Sequence, residues 1–164
     1  ESGWPTIPGV SYPTVIHEPQ QLFRGPDWLT KRIATIEPPE SKGRYVVKIP
    51  AIGKDGNELG TLLHPAVAVP IGSYTAWNLR SEAIGAPGEL LSLAGGYIPF
   101  AKTAEVRKAS GEERPALLER YKDYADYRAQ YQAAAERLLA ERYLLPEDLP
   151  RAMALCEKFR AAFE

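Results

Sequence analysis

The sequence is short of the residue types that several kinds of protein chemistry require. Its 164 residues include one cysteine, two histidines and one methionine. A lone Cys156 excludes an intrachain disulfide, and no Cys/His cluster has the spacing of a zinc site. No apolar run approaches the roughly 18 residues that a membrane-spanning helix needs. We therefore expect no metal ion, no cofactor and no membrane span.

An excess of charge is missing as well, because 20 Lys and Arg residues stand against 21 Asp and Glu residues. Proteins that bind phosphate backbones normally carry a basic footprint. Neither nucleic acid nor a membrane surface is therefore expected as a partner. The chain has no signal-peptide pattern and begins with Glu1 instead of Met, so we expect a processed or excised segment.

Proline and glycine are plentiful but unevenly distributed. Of the 15 prolines and 13 glycines, 24 lie in the first 100 positions. These residues mark turns, whereas Ala, Glu, Arg and Leu favour helices. The sequence thus predicts a Pro/Gly-rich region of coil and short strands over 1–100 and a helical hairpin over 101–164, forming one structural unit that is not autonomous.

Two short strands are predicted in the first region. Arg44–Ile49 is rich in β-branched and aromatic residues, and Ala66–Val69 is a second, shorter candidate. Between them, Asp55 and Gly56 form a pair typical of tight turns. We expect a small antiparallel β element joined by long coil.

Helical periodicity begins near Pro115, and the start is predicted within 110–116. The pattern continues to Leu145, and a second helix is predicted over about 149–162, with Asp148 as its N-cap and Pro146 in the connection. The fold class is α+β. One helical face carries tyrosines, which we expect to pack against another layer with their hydroxyls at a polar margin; they are Tyr121, Tyr124, Tyr127 and Tyr131.

Catalytic patterns are absent or incomplete. The string Gly9-Val10-Ser11-Tyr12-Pro13 lacks the last glycine of the nucleophile elbow G-x-S-x-G, so Ser11 is interpreted as a loop residue. A structural role is favoured for His64, and His17 reads as a surface residue. An EF-hand pattern starting at Asp55 fails at two required positions. We predict no catalytic residue and no metal ligand in this chain.

One polar and aromatic run has the composition of a ligand pocket: Tyr74, Trp77, Asn78 and Arg80. Such a mixture lines a ligand site or pins a coil to a partner domain, and the second interpretation is favoured because pockets are few per protein. If the run lines a ligand site, these four residues are our predicted substrate-binding residues.

Several strings, in their order along the chain, resemble a known family. They are Ile7-Pro8-Gly9-Val10-Ser11-Tyr12-Pro13, Asp55-Gly56-Asn57-Glu58, Val67-Ala68-Val69-Pro70, Tyr74-Thr75-Ala76-Trp77-Asn78-Leu79-Arg80, Gly96-Tyr97-Ile98-Pro99-Phe100-Ala101, Glu119-Arg120-Tyr121 and Glu141-Arg142-Tyr143-Leu144-Leu145-Pro146-Glu147-Asp148. Together they resemble the C-terminal third of a bacterial family of alpha/beta hydrolase domain-containing proteins. Two positions depart from its pattern: Ala76 replaces a usual glycine, and Gly95-Gly96 replaces a usual Gly-Ser pair.

The resemblance implies a serine hydrolase that acts on carboxylic esters through a serine, a histidine and an acid. It places the serine elbow and the histidine upstream of the region resembled here. Two hypotheses follow. The chain is either the C-terminal portion or small subunit of an ester hydrolase completed by another chain or segment with the triad, or a non-catalytic interaction module. The compartment stays open between periplasm and cytoplasm.

Overall fold

The computed structural model describes residues 3–13, 18–91 and 95–164. The chain divides into two compact units. We call residues 1–12 with 50–164 the core unit and Pro13–Ile49 the hairpin unit. The α+β prediction is confirmed, because the described residues combine six α-helices with two antiparallel two-stranded sheets.

The hairpin unit contains one of these sheets. Strand β1 (Gln20–Phe23) pairs antiparallel with β2 (Glu40–Arg44), with Leu22 opposite Ser41. Helix α1 (Trp28–Lys31) is a single turn between them. No hydrophobic side chain of the described residues in this unit is buried.

The core unit holds the remaining elements. Strands β3 (Gly72–Thr75) and β4 (Gly96–Pro99) pair antiparallel, with Tyr74 opposite Tyr97. The helices are α2 (Pro65–Ala68), α3 (Ala104–Ser110), α4 (Leu117–Arg120), α5 (Tyr124–Ala140) and α6 (Leu149–Lys158). Helix α5 packs against both α2 and α6.

The hydrophobic core lies among these helices and is built largely from tyrosines. Its buried members are Ala66, Val69, Ile71, Leu117, Tyr121, Tyr127, Tyr131 and Cys156. The predicted packing role of the tyrosine face is therefore correct, but the hydroxyls of Tyr121, Tyr127 and Tyr131 are buried instead of lying at a polar margin. The Tyr121 hydroxyl donates a buried hydrogen bond to the Pro70 carbonyl (2.8 Å), and those of Tyr127 and Tyr131 are buried without a partner among the described residues.

Both predicted strands are wrong in position. Strand β2 ends at Arg44, where the predicted strand begins; Tyr45 N–H still reaches the Pro19 carbonyl (2.9 Å), but nothing in the described chain pairs as a strand with residues 46–49. The predicted strand Ala66–Val69 is replaced by helix α2. Pro65 occupies the first turn and His64 Nδ1 accepts the Ala66 N–H (3.2 Å), so local helix-start signals outweigh the β-propensity of valine.

The predicted helix over 115–145 is interrupted. Tyr121 is extended (φ −127°, ψ 133°) after α4, and Asp123 then caps α5, its Oδ1 accepting the Asp126 N–H (2.9 Å). The periodicity survives the break because both segments face the same core, which hides the interruption from a pattern search. Helix α6 and the turn Pro146–Asp148 before it confirm the second predicted helix.

Candidate functional site

An open groove of about 550 Å³ lies in the core unit at one end of the β3–β4 sheet. Three segments that are distant in sequence form its walls. Its lining residues are Gly9, Val10, Ser11, Thr75, Trp77, Asn78, Leu79, Gly95, Gly96, Tyr97 and Ile98. The groove brings together the incomplete elbow string, part of the polar and aromatic run, and the Gly95-Gly96 pair.

Thr75, the last residue of β3, fixes the bend between two of these walls. Its hydroxyl donates to the Trp77 carbonyl (2.6 Å) and accepts the N–H of Gly96 (2.9 Å). The Thr75 side chain makes both hydrogen bonds at the end of the β3–β4 ladder. The chain can therefore turn sharply while the Trp77 carbonyl and the Gly96 N–H stay paired. The turn places Trp77 and Asn78 on the groove.

Trp77 anchors the N-terminal wall. Its ring meets those of Trp4 and Tyr12 edge to face, with centroids 5.3 and 5.6 Å away. Trp4 and Tyr12 also pack on each other at 5.4 Å. Edge-to-face aromatic pairs contribute about 0.5–1.5 kcal/mol beyond their buried area. This three-ring cluster holds the segment that carries Ser11 against the groove.

Asn78 offers a hydrogen-bond donor at the groove. Its Oδ1 accepts the N–H of Leu79 (2.9 Å), and its carbonyl accepts the N–H of Leu91 (2.8 Å). The side-chain NH₂ group donates to no residue in the described ranges, and the residue is exposed. An amide NH₂ carries two donors, so Asn78 can reach a ligand without giving up its own contacts.

The third wall is bare backbone for a steric reason. A Cβ on Gly95 would lie 2.5 Å from the Thr75 carbonyl oxygen, and one on Gly96 would lie 2.7 Å from Thr75 Oγ1. Only glycine permits this approach. A side chain at either position would have to displace Thr75, so glycine at both positions fits the packing of this groove.

The structure divides the four predicted substrate-binding residues. Trp77 and Asn78 line the groove, whereas Tyr74 packs on Tyr97 (centroids 5.2 Å) and lines a second depression of about 270 Å³. Arg80 folds back on its own loop, donating to the carbonyls of Gly85 (2.8 Å) and Ile84 (2.6 Å). The substrate-binding role of all four residues stays a prediction.

Ser11 and His64 lie in different depressions. Ser11 is exposed in the first, and His64 lines the second, where partial burial lowers the pKa of its imidazole. The described lining of the first groove includes no histidine, and His17 lies outside the described residues. Nucleophilic serine needs an adjacent general base, so this groove as described holds no Ser-His pair.

Sequence reasoning missed the buried Arg114, which lies under the β3–β4 sheet. It donates to Ser73 Oγ (2.8 Å) and to the carbonyls of Ile98 (2.9 Å) and Pro99 (2.9 Å), and pairs with Glu112 (2.5 Å). Burial lowers the pKa of Arg114, and the Glu112 carboxylate opposes that shift. An arginine between a glutamate and a proline belongs to no periodic hydrophobic pattern, so its burial is seen only in the folded structure.

The predicted turn at Asp55-Gly56 is present, and it positions Asn57 beside β3. Asp55 Oδ1 accepts the N–H of Asn57 (3.1 Å). The buried Asn57 amide then donates to the Gly72 carbonyl (3.1 Å) and accepts the N–H of Tyr74 (2.8 Å), so it pairs with β3 as a strand would. The described residues contain no group of three or more His, Cys, Asp or Glu placed to hold a metal ion.

Comparison with known proteins found one matching family model. A family model described as "Alpha/beta hydrolase domain" matches residues 26–154, well over half of the chain. The chain belongs to this alpha/beta hydrolase domain family. The family match includes Trp77, Asn78 and the Gly95-Gly96 wall. No curated protein and no solved structure matches the chain. No helix in the described residues is long and apolar enough to cross a membrane.

Proposed function

We propose that this chain is the C-terminal portion or small subunit of a carboxylic-ester hydrolase of the alpha/beta hydrolase type. The Ser/His/acid triad is carried by another protein chain or by an upstream segment. Membership of the family supports a hydrolase-like protein. The ester specificity, the location of the triad and the role as a portion or subunit are our proposals.

The observation that carries this proposal is a groove with binding groups but no catalytic pair. Trp77 supplies an aromatic wall and Asn78 a donor, while Ser11 has no histidine beside it in the described lining. Acyl transfer by serine requires a base within hydrogen-bond reach. In the complete enzyme, Trp77 and Asn78 would contact substrate, while Tyr74 and Arg80 hold the adjoining sheet and loop.

The partner is proposed to be protein. The near-neutral charge gives no attraction to nucleic acid or to an anionic membrane. The described residues leave many large hydrophobic side chains exposed, among them Val46 at 86% and Leu29 at 78%. Where such side chains are contiguous they form surfaces that bind another protein, and we propose that a partner covers them.

Fluorophosphonate labelling of the native protein, isolated with an antibody against this chain, tests the proposal. The reagent reacts with activated serines, so we expect the label on a companion chain or on a segment outside residues 1–164. Label on Ser11, abolished by Ser11→Ala and retained in the control Ser110→Ala, would place the nucleophile in this chain and refute the proposal.

The alternative function is a non-catalytic interaction module. The exposed hydrophobic side chains favour it as much as they favour a hydrolase subunit. The same labelling separates the two. Native material that takes up no label on any chain, while it remains bound to its partner, would support the module and reject the hydrolase.

A further inference from the structure

The described lining of the groove is uncharged. Charged residues make up 25% of the chain. No Asp, Glu, Lys, Arg or His is among the described lining residues. The closest charged member of the same run, Arg80, has its guanidinium bound to the Ile84 and Gly85 carbonyls. The residues described around the groove therefore offer no fixed charge to a ligand.

The described lining combines neutral hydrogen-bonding groups with apolar ones. The Asn78 amide and the Ser11 hydroxyl supply polar contacts, and Gly95 and Gly96 contribute backbone, with the Gly96 N–H already bonded to Thr75 Oγ1. Trp77 and Ile98 supply apolar walls. A ligand with carbonyl oxygens on a short apolar skeleton would find both kinds of group in the lining.

A charged ligand would find no such match. In an open groove a carboxylate or phosphate loses part of its hydration on contact, and that part is not replaced where the lining has no cation and few donors. An ester carbonyl pays far less and is satisfied by one or two neutral donors. The lining, as far as it is described, therefore favours neutral ligands over anionic ones.

We propose that this groove binds the uncharged acyl or alcohol part of a neutral ester and rejects esters that carry a carboxylate or phosphate. That the ligand is an ester rests on the proposed function, whereas the preference for a neutral ligand rests on the described lining alone. Trp77 and Asn78 are the specificity-determining residues.

The test compares two esters of one skeleton, neutral diethyl succinate and anionic monoethyl succinate, by NMR titration of the 164-residue chain. We expect diethyl succinate to shift the Gly95 and Gly96 amides and the Asn78 side-chain amide saturably. Gly111, which ends α3 outside the groove, serves as the reference amide. We expect monoethyl succinate to bind at least tenfold more weakly. Equal Kd values, or no saturable shift with diethyl succinate, would overturn the proposal.

Two variants at one position sharpen the result. Asn78→Asp places a carboxylate in the groove and should weaken binding of monoethyl succinate further, whereas Asn78→Lys should bind it more tightly than the unchanged chain does. Gln130→Glu makes the same change of net charge as Asn78→Asp, but on the exposed face of α5, and should leave both Kd values unchanged. Identical Kd values for all three variants would also refute the proposal. Retention of the native spectrum verifies folding.

The titration and the labelling experiment fail independently. The titration needs no turnover and reports on this chain alone, whereas the labelling reports where the activated serine lies. A labelled companion with no ester bound in the groove would refute only this inference. Charge-selective binding in material that takes up no label would refute only the hydrolase.

Discussion

The core unit and the hairpin unit contain similar residues but bury them very differently. Every buried hydrophobic side chain in the described residues belongs to the core unit. In the hairpin unit, eight large hydrophobic side chains are 36–86% exposed; they are Leu22, Phe23, Leu29, Ile33, Tyr45, Val46, Val47 and Ile49. An apolar residue therefore contributes to stability here only where a second layer covers it.

The reason lies in the layers that each unit can assemble. Helices α2, α5 and α6 enclose the tyrosine core of the core unit. The hairpin unit has one two-stranded sheet and one helical turn, and its other contacts are peripheral pairs such as Arg24 with Glu37 (3.2 Å). An isolated two-stranded hairpin is marginally stable in water. In the isolated chain, we expect the hairpin unit to be much less stable than the core unit.

The largest difference is expected between two arginines. Arg114→Ala should destabilise the core unit by about 3–5 kcal/mol, because it leaves the nearly buried Glu112 carboxylate without its ion pair and removes one donor from Ser73 Oγ. Arg24→Ala, which removes an exposed pair in the hairpin unit, should cost about 1 kcal/mol or less. Urea unfolding monitored by helical circular dichroism measures both.

If Arg114→Ala does not fold, Arg114→Lys keeps the charge and part of the donor set and should show an intermediate loss. Equal losses of unfolding free energy for Arg114→Ala and Arg24→Ala would contradict the comparison. They would mean that the contacts of the hairpin unit stabilise the chain as much as those of the core unit do.

A smaller difference is expected between two aliphatic residues. Ile71 is 5% exposed and Val46 is 86% exposed. Ile71→Ala should cost about 2–5 kcal/mol through lost burial and the cavity left behind. Val46→Ala should change the unfolding free energy by about 0.5 kcal/mol at most. A loss at Val46 as large as that at Ile71 would show that residues 45–49 are covered in the isolated chain.

The smallest difference lies within the tyrosine core. Tyr121→Phe should cost about 1 kcal/mol, because it removes the hydrogen bond to the Pro70 carbonyl. Tyr131→Phe removes a buried hydroxyl that has no partner in the described chain, so its effect should be neutral or stabilising. Thermal unfolding measures both variants, and the reverse order would show that the Tyr131 hydroxyl is satisfied.

Alkaline pH gives a second readout of Tyr121. Burial raises the pKa of Tyr121 to about 12. The unfolded tyrosine titrates near pH 10. Between these values the unfolded chain has lost the proton while the folded chain keeps it, so stability falls as pH rises through that window. Tyr121→Phe should make this decline shallower, and an unchanged decline would contradict the burial.

The sequence predicted what depends on local composition or on long periodicity. The α+β class, the turn at Asp55-Gly56, helix α6 and the buried face of α5 all followed from such patterns. The strand predicted at Arg44–Ile49 failed because β-propensity describes a residue that has a neighbouring strand, and the described chain offers none there. Whether a strand finds a neighbour depends on tertiary structure, which local sequence patterns do not predict.

The site was predictable only in part, for a related reason. Trp77 and Asn78 were identified from a local mixture of polar and aromatic residues, and both line the groove. Ser11 and Gly95 drew attention separately, but their convergence depends on the Thr75 turn and on the Trp4 contact with Trp77. Contacts between segments that far apart could not be read from spacing.

Hydrogen exchange of the isolated 164-residue chain tests most directly whether the core unit alone carries its own stability. We expect the α5 amides of Tyr131 and Ala135 to exchange at least about 10³-fold more slowly than an unstructured peptide, because only global unfolding exposes them. Amides of β1 and β2 should exchange within about tenfold of the unstructured rate. Comparable protection of α5 and of the β1–β2 sheet would contradict the account.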